Sequence, residues 1–267
     1  MKYLYFDTFS EINLSMVLGA FIDMALCEEK AKNIINELSL PATLYTKDVF
    51  ISSIEAKLAK VIYQGDEGEI SKENILSLPF LEKASELTKE RFKNFIDILC
   101  SFKNCDSFKK EEYMSDFCTA IILFELFNYY KMDNFYVSKL FVSNAYLFDG
   151  KSFKEYSDSS FTEKIINSGF TIDKSDIPHE FTSKVVFSFL LSIKAKGENV
   201  NLGETYMTGY GAGSSEIKNM INILRLVYGK DTGIDTKLFE NFEISSLKDN
   251  YYEIGYNKQK WCKPKAW

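Results

Sequence analysis

"TGYGAGSSEIKNMINILRLVY", Thr208 to Tyr228, places Gly209, Gly211 and Gly213 between two runs rich in strand-forming residues. "GETYMTGY" before the cluster and "NMINILRLVY" after it read as β-strands, because Thr, Tyr, Ile, Leu and Val fit a pleated, half-buried surface. The glycines between them have two readings. One is a cradle of backbone N–H groups for a phosphate; the other is a tight strand connection or a bulge. The stretch lacks the Lys-Ser/Thr of a P-loop and the G-x-G-x-x-G register, so taken alone it reads as the connection.

Outward from this pair of strands, helical and strand patterns alternate. "KYLYFDTF" reads as an opening, mostly buried strand. "LSMVLGAFIDMALC" follows with helical spacing at Leu14, Val17, Leu18, Phe21 and Ile22, and "EEKAKNIINELSL" continues as a second helix that stops at Pro41. "ATLYTKDVFIS" and "IEAKLAKVIYQ" read as two strands, with "GDEGEIS" as a turn-rich loop. Residues 71–105 are mostly helical, with Phe92, Phe95, Ile96 and Leu99 on one face, and a longer helix runs from about Glu111 to Tyr130. "NFYVSKLFVSNAYLF" reads as a strand or hairpin and "FTEKIINS" as a short helix ended by Gly169. "FTSKVVFSFLLSIKAKG" is a helix with Thr182 or Ser183 as N-cap and Gly197 at the C-terminal cap. The pattern predicts a single α/β (α+β) domain over 1–229: a mixed sheet covered by helices, with a frayed extension over 230–267.

Composition excludes several function classes. With 46% hydrophobic and 15% aromatic residues, the chain has material for a real core. A net charge of −6 offers no broad basic face for nucleic acid, and the four lysines of the tail read as a solvated terminus. No apolar run approaches the ~20 residues that span a bilayer, so no membrane role is expected. Cys27, Cys100, Cys105, Cys118 and Cys262 form an odd set without framework spacing, which fits reduced thiols in a cytoplasm.

Residues with chemistry are sparse. His179 is the single histidine, so any imidazole-based site rests on it; its place before a helix suits an ordinary surface or pre-cap residue. Cys100 and Cys105 have the wrong spacing for a zinc or redox pair. Glu112 and Asp116 lie four apart on the long helix, on one face. Two carboxylates there either share a divalent cation or a proton, or simply favour the first helical turn through the helix dipole.

Three blocks carry a resemblance to one family. "YFDTFSEINLSMVLGAFID" (Tyr5 to Asp23), "DFCTAIILFELF" with "DNFYVSKL", and "GYGAGSSEIKNMINILRL" (Gly209 to Leu226) resemble the LarC-type nickel-insertion proteins. The third block matches the family's "GYGAGTRDFPGRPNVLRV" without a gap. The resemblance covers about residues 1–229. It implies an α/β fold and a role in maturing the nickel-pincer nucleotide cofactor, with Ni²⁺ delivered to the sulfur atoms of a pyridinium mononucleotide. The activity implied is that of a nickel chelatase, of the lyase class. The family's CTP-hydrolysing C-terminal domain has no counterpart in the third block or the residues after it, so a separate LarC-type domain or another maturation protein is the expected partner.

By the same resemblance, Asp7, Glu112 and Asp116 are the expected metal ligands, and Ser10, Gly209, Gly211, Gly213 and Ser214 the expected phosphate-binding residues. The departures point the other way. Thr8 stands where the family has Cys, Glu11 and Leu14 where it has Gly, and Ser15 where it has Asp. The His-x-His-Glu run reads Asn104, Asp106 and Ser107 here, and the His-Gly step reads Asp149-Gly150. Nickel favours imidazole and thiolate over isolated carboxylate. The alternative expectation is therefore a catalytically degenerate family member acting as a scaffold or regulatory interaction protein.

Overall fold

A computed structural model describes residues 2–148, 152–198, 204–217 and 219–230. Asp149, Gly150, Cys262 and the expected extension lie outside them, except for Lys230, which still belongs to the last strand. The expected α/β fold is what forms: a mixed sheet with helices packed against it.

The opening strand, β1 (Lys2–Thr8), leads into helix α1 (Leu14–Ala25) and then α2 (Glu28–Leu38). Asn13 caps α1: its backbone is extended and its side chain accepts from the Met16 amide at 2.9 Å. A hairpin follows, β2 (Ala42–Ile51) and β3 (Ile54–Tyr63). Ser52 and Ser53 both have positive φ, the two-residue turn whose twist matches the strands it joins.

The "GDEGEIS" segment holds a short strand, β4 (Glu69–Ser71), which pairs with β5 (Ser107–Lys109) beside the long helices. Helices α3 (Lys72–Leu76), α4 (Pro79–Glu82) and α5 (Glu86–Lys103) lie between the two. Helix α6 (Lys110–Tyr129) is buried nearly all round from Met114 to Phe127, as suits a helix at the centre of a core. Phe92, Phe95, Phe117, Phe124, Phe127 and Phe189 form a continuous set of ring contacts around it, with centroids 5.1–6.5 Å apart.

The stretch expected as one strand or hairpin, "NFYVSKLFVSNAYLF", becomes three short strands in three different sheets: β6 (Phe135–Val137), β7 (Leu140–Ser143) and β8 (Tyr146–Phe148). The breaks fall at Ser138-Lys139 and Asn144-Ala145, and without glycine or proline to mark them they are easily read through. Strand β9 (Phe153–Glu155) pairs with β8, and after helix α7 (Ser159–Asn167), β10 (Ile172–Ser175) pairs with β7. Helix α8 (Lys184–Ser192) starts at its Ser183 cap, as one of the two expected residues. It ends at Ser192, before the expected Gly197 stop. Gly197 instead lies against the backbone of Gly169 and Phe170.

The main sheet has the order β2-β3-β11-β12-β1-β6, where β11 is Glu204–Ala212 and β12 is Ile223–Lys230. β1 runs parallel to β6 and antiparallel to β12; β11 is antiparallel to β12 and parallel to β3. Strands β1, β3, β6 and β11 therefore all point the same way. Their carboxyl ends share the edge where α1 begins. One face of the sheet packs on α1 and α6, and the other carries Tyr3, Tyr5, Tyr136 and Val227.

Candidate functional site

The glycine motif lies differently from its sequence reading. Gly209 and Gly211 are not in a loop but inside β11, paired with Leu226 and Leu224. Both face α1. A Cβ on Gly209 would stand 2.6 Å from Met24 Cβ, and one on Gly211 would stand 2.7 Å from the Ala20 amide nitrogen. These contacts explain the residues as a close helix–strand approach. The Gly209 and Gly211 amides belong to a strand with partners on both sides, so they do not form an anion nest. Gly213 does begin the connection, over 213–222, and its space is filled by the Asn222 side chain. "NMIN", expected as strand, belongs to that connection.

Three of the expected site residues are already engaged. Asp7 forms an ion pair with Arg225, its cross-strand neighbour on β12. Ser10 is fully buried and donates to the Ile221 carbonyl at 2.9 Å. Glu112 is exposed on α6 and pairs with Lys109 at 3.1 Å. Glu112 and Asp116 thus part company despite their shared helical spacing: one faces solvent, the other turns inward.

Asp116 is half-buried and has no hydrogen bond or ion pair among the described residues. Burial pushes its carboxyl up to about 6. It lines a cavity of about 180 Å³ together with Asn13, Ser15, Tyr45, Lys60 and Ser214. The place follows from the topology. β3 and β11 pair as parallel strands at Gly211 and Lys57, and the cavity opens beyond that pair, against the first turn of α1. Crevices outside the carboxyl ends of parallel strands are where open α/β sheets bind ligands.

So the fold brings Ser214 and Asp116 together, at one cavity, and adds Ser15, which stands where the resembling family has Asp. Asp7, Ser10 and Glu112 do not line it. Among the described residues, no three His, Cys, Asp or Glu side chains come close enough to hold a metal ion. One carboxylate with two hydroxyls is a poor donor set for nickel.

A second polar cluster was missed in the sequence. Glu11 accepts from Asn13 Nδ2 at 2.7 Å and Asn222 Nδ2 at 3.0 Å, and lies 3.3 Å from His179 Nε2. It ties the segment after β1 to the connection after β11 and to the approach to α8. In the sequence, Glu11 reads only as a bulky replacement for glycine; nothing in its spacing marks it as a hub. No helix among the described residues is long and apolar enough to cross a membrane. No family model matches this chain, and neither a curated protein nor a solved structure matches it.

Proposed function

We propose that the protein is a divergent LarC-like component of nickel-pincer nucleotide maturation that holds its ligand in the crevice between β3, β11, α1 and α6. One observation carries the reading. Ser15, Asp116 and Ser214 come from the three separate blocks that resemble the family, and all three line the same cavity.

Nickel is cargo in this reading, and Asp116 is the carboxylate left free to meet it. Asp7 and Glu112 are held by Arg225 and Lys109. Further donors have to come from the sulfur atoms of the pyridinium mononucleotide, and nucleotide hydrolysis from a separate domain or chain. Equilibrium dialysis with Ni²⁺, with Mn²⁺ as a hard-ion control, tests this. Binding tighter than roughly millimolar that is lost in Asp116→Asn supports it. Binding no tighter than that, with or without the mononucleotide, sinks nickel delivery.

The same ion pairs favour a second reading, in which the fold persists as an interaction protein. Co-elution with a maturation partner in the absence of nickel is its expected outcome. A chain that elutes alone beside every such partner counts against it.

A further inference from the structure

The end of α5 brings together two thiols that their spacing alone would part. On a continuous helix, Cys100 and Cys105 would point to different faces. The helix stops at Lys103 instead, and Asn104 takes a left-handed φ of 53°, a conformation that asparagine reaches more readily than most residues. The chain then doubles back over the last turn. The Asn104 and Cys105 amides both donate to the Cys100 carbonyl, the second at 3.3 Å. In helix ends of this kind, the residue after the left-handed one meets the side chain five positions before it. Here those two residues are Cys105 and Cys100.

The hydrogen bond also bounds their separation. Standard geometry puts a carbonyl oxygen about 2.4 Å from its own Cα and an amide nitrogen about 1.5 Å from its own. With 3.3 Å between oxygen and nitrogen, the two Cα atoms are at most about 7 Å apart, and any bend in that path brings them closer. Disulfides span Cα separations of about 4.4–6.8 Å. Cys105 is half-buried and packs on the core cluster that holds Cys100, itself buried. Burial pushes the Cys100 thiol up to about 11; Lys72 opposes the rise and Cys105 adds to it, so the two sulfurs lie within electrostatic reach of each other.

We propose that Cys100 and Cys105 are a reversible thiol–disulfide pair, a modification site for low-molecular-weight disulfides of the glutathione class. Cys105, the more accessible thiol, loses its proton to solvent and attacks one sulfur of the reagent. The reagent's S–S bond breaks and one small thiolate leaves. That thiolate takes the proton of Cys100, whose sulfur then attacks the Cys105 sulfur and expels the second small thiolate, which is protonated from solvent. The protein gives up two electrons and two protons, and the reagent becomes two thiols. The product is a short covalent ring across the end of α5, and excess small thiol opens it again. No residue of the Asp116 crevice takes part, so the pair stands or falls apart from the nickel reading.

Reduced full-length protein is incubated with glutathione disulfide under native conditions, quenched with iodoacetamide during unfolding and digested with trypsin. Cleavage after Lys103 puts the two cysteines on separate peptides, Asn94–Lys103 and Asn104–Lys109, so the bond appears as these two peptides joined. The expected result is that joined pair, with both thiols lost to alkylation, Cys27 and Cys118 still alkylated, and full reversal by excess glutathione. In Cys100→Ser, Cys105 accumulates instead as a mixed disulfide with glutathione. In Cys105→Ser, Cys100 remains a thiol over the same time. Should either variant fail to fold, the wild-type peptides alone decide. A glutathione adduct that persists on wild-type Cys105 overturns the pairing, as does Cys105 joined to Cys262 or to the Cys105 of a second molecule. Two unreacted thiols, or a joined pair that forms only in urea, overturn it equally.

Discussion

Gly211 on β11 lies flat against the backbone of α1 at Ala20, so closely that a Cβ on it would stand 2.7 Å from the Ala20 amide nitrogen. Everything near that hypothetical atom is main chain, from Met16 to Ala20, which has no rotamer to move. Gly211→Ala must therefore lift α1 off the sheet. Overpacking of this kind costs about 3 kcal/mol, or a fall of roughly 6–12 °C in melting temperature for a chain of this size. Thermal unfolding by circular dichroism checks it. A variant as stable as wild type would mean that α1 does not sit against β11.

Asp7 and Arg225 predict a stability effect where the sequence suggested a ligand. The Arg225 Nε is buried without a hydrogen bond, so the Asp7 carboxylate is the main compensation for a half-buried charge. Asp7→Asn leaves that guanidinium short of its partner and is expected to destabilise by about 2 kcal/mol. Urea denaturation measures this. Under the proposed nickel reading, Asp7→Asn is expected to keep the wild-type level of Ni²⁺ binding and Asp116→Asn to lose it.

Ser10 is expected to act through the connection after β11. Its hydroxyl is buried, donates to the Ile221 carbonyl at 2.9 Å and lies 3.3 Å from Asn222 Oδ1. Ser10→Ala leaves that carbonyl with the Ile223 amide, at 3.0 Å, as its remaining donor and removes the buried link to Asn222, at about 1 kcal/mol. Amide hydrogen exchange should accelerate at residues 213–222 before it does so in β12. Uniform acceleration across the chain would argue against a local role.

What the sequence made legible was set by periodicity. The spacing of Leu14, Val17, Leu18, Phe21 and Ile22 marks α1, and that of Phe92, Phe95, Ile96 and Leu99 marks the inner face of α5; all nine are buried. The glycine stretch misled because glycine has two uses that look alike in one dimension. It permits turns, and it permits close approach; Gly209 and Gly211 serve the second use inside a strand. The site was harder. Asp116 shares its helical face with Glu112 by spacing, yet inward and outward on α6 depend on how β3 crosses it. Lys60 and Tyr45 join the cavity through the β2–β3 register, in which they are direct partners, and no local pattern announces that pairing with α1.

Asp116 gives the clearest dependence on pH. Its folded value of about 6 lies above the ordinary carboxylate value of 3.8, so the native state holds the proton more tightly than the unfolded chain. A carboxyl shifted in this direction destabilises once it must ionise in place. The penalty is absent below about pH 4, grows between about pH 4 and pH 6, and is complete above that range. Two pH units correspond to about 3 kcal/mol, which partial solvent access reduces to about 2 kcal/mol. Asp116→Asn removes the ionisation and keeps the shape. The variant should match wild type in stability near pH 4 and exceed it by about 2 kcal/mol at pH 8, read from urea midpoints at both pH values. An equal difference at the two pH values would show that Asp116 is not held neutral by its surroundings. A variant less stable than wild type at pH 8 would show that the ionised carboxylate has a partner in solution.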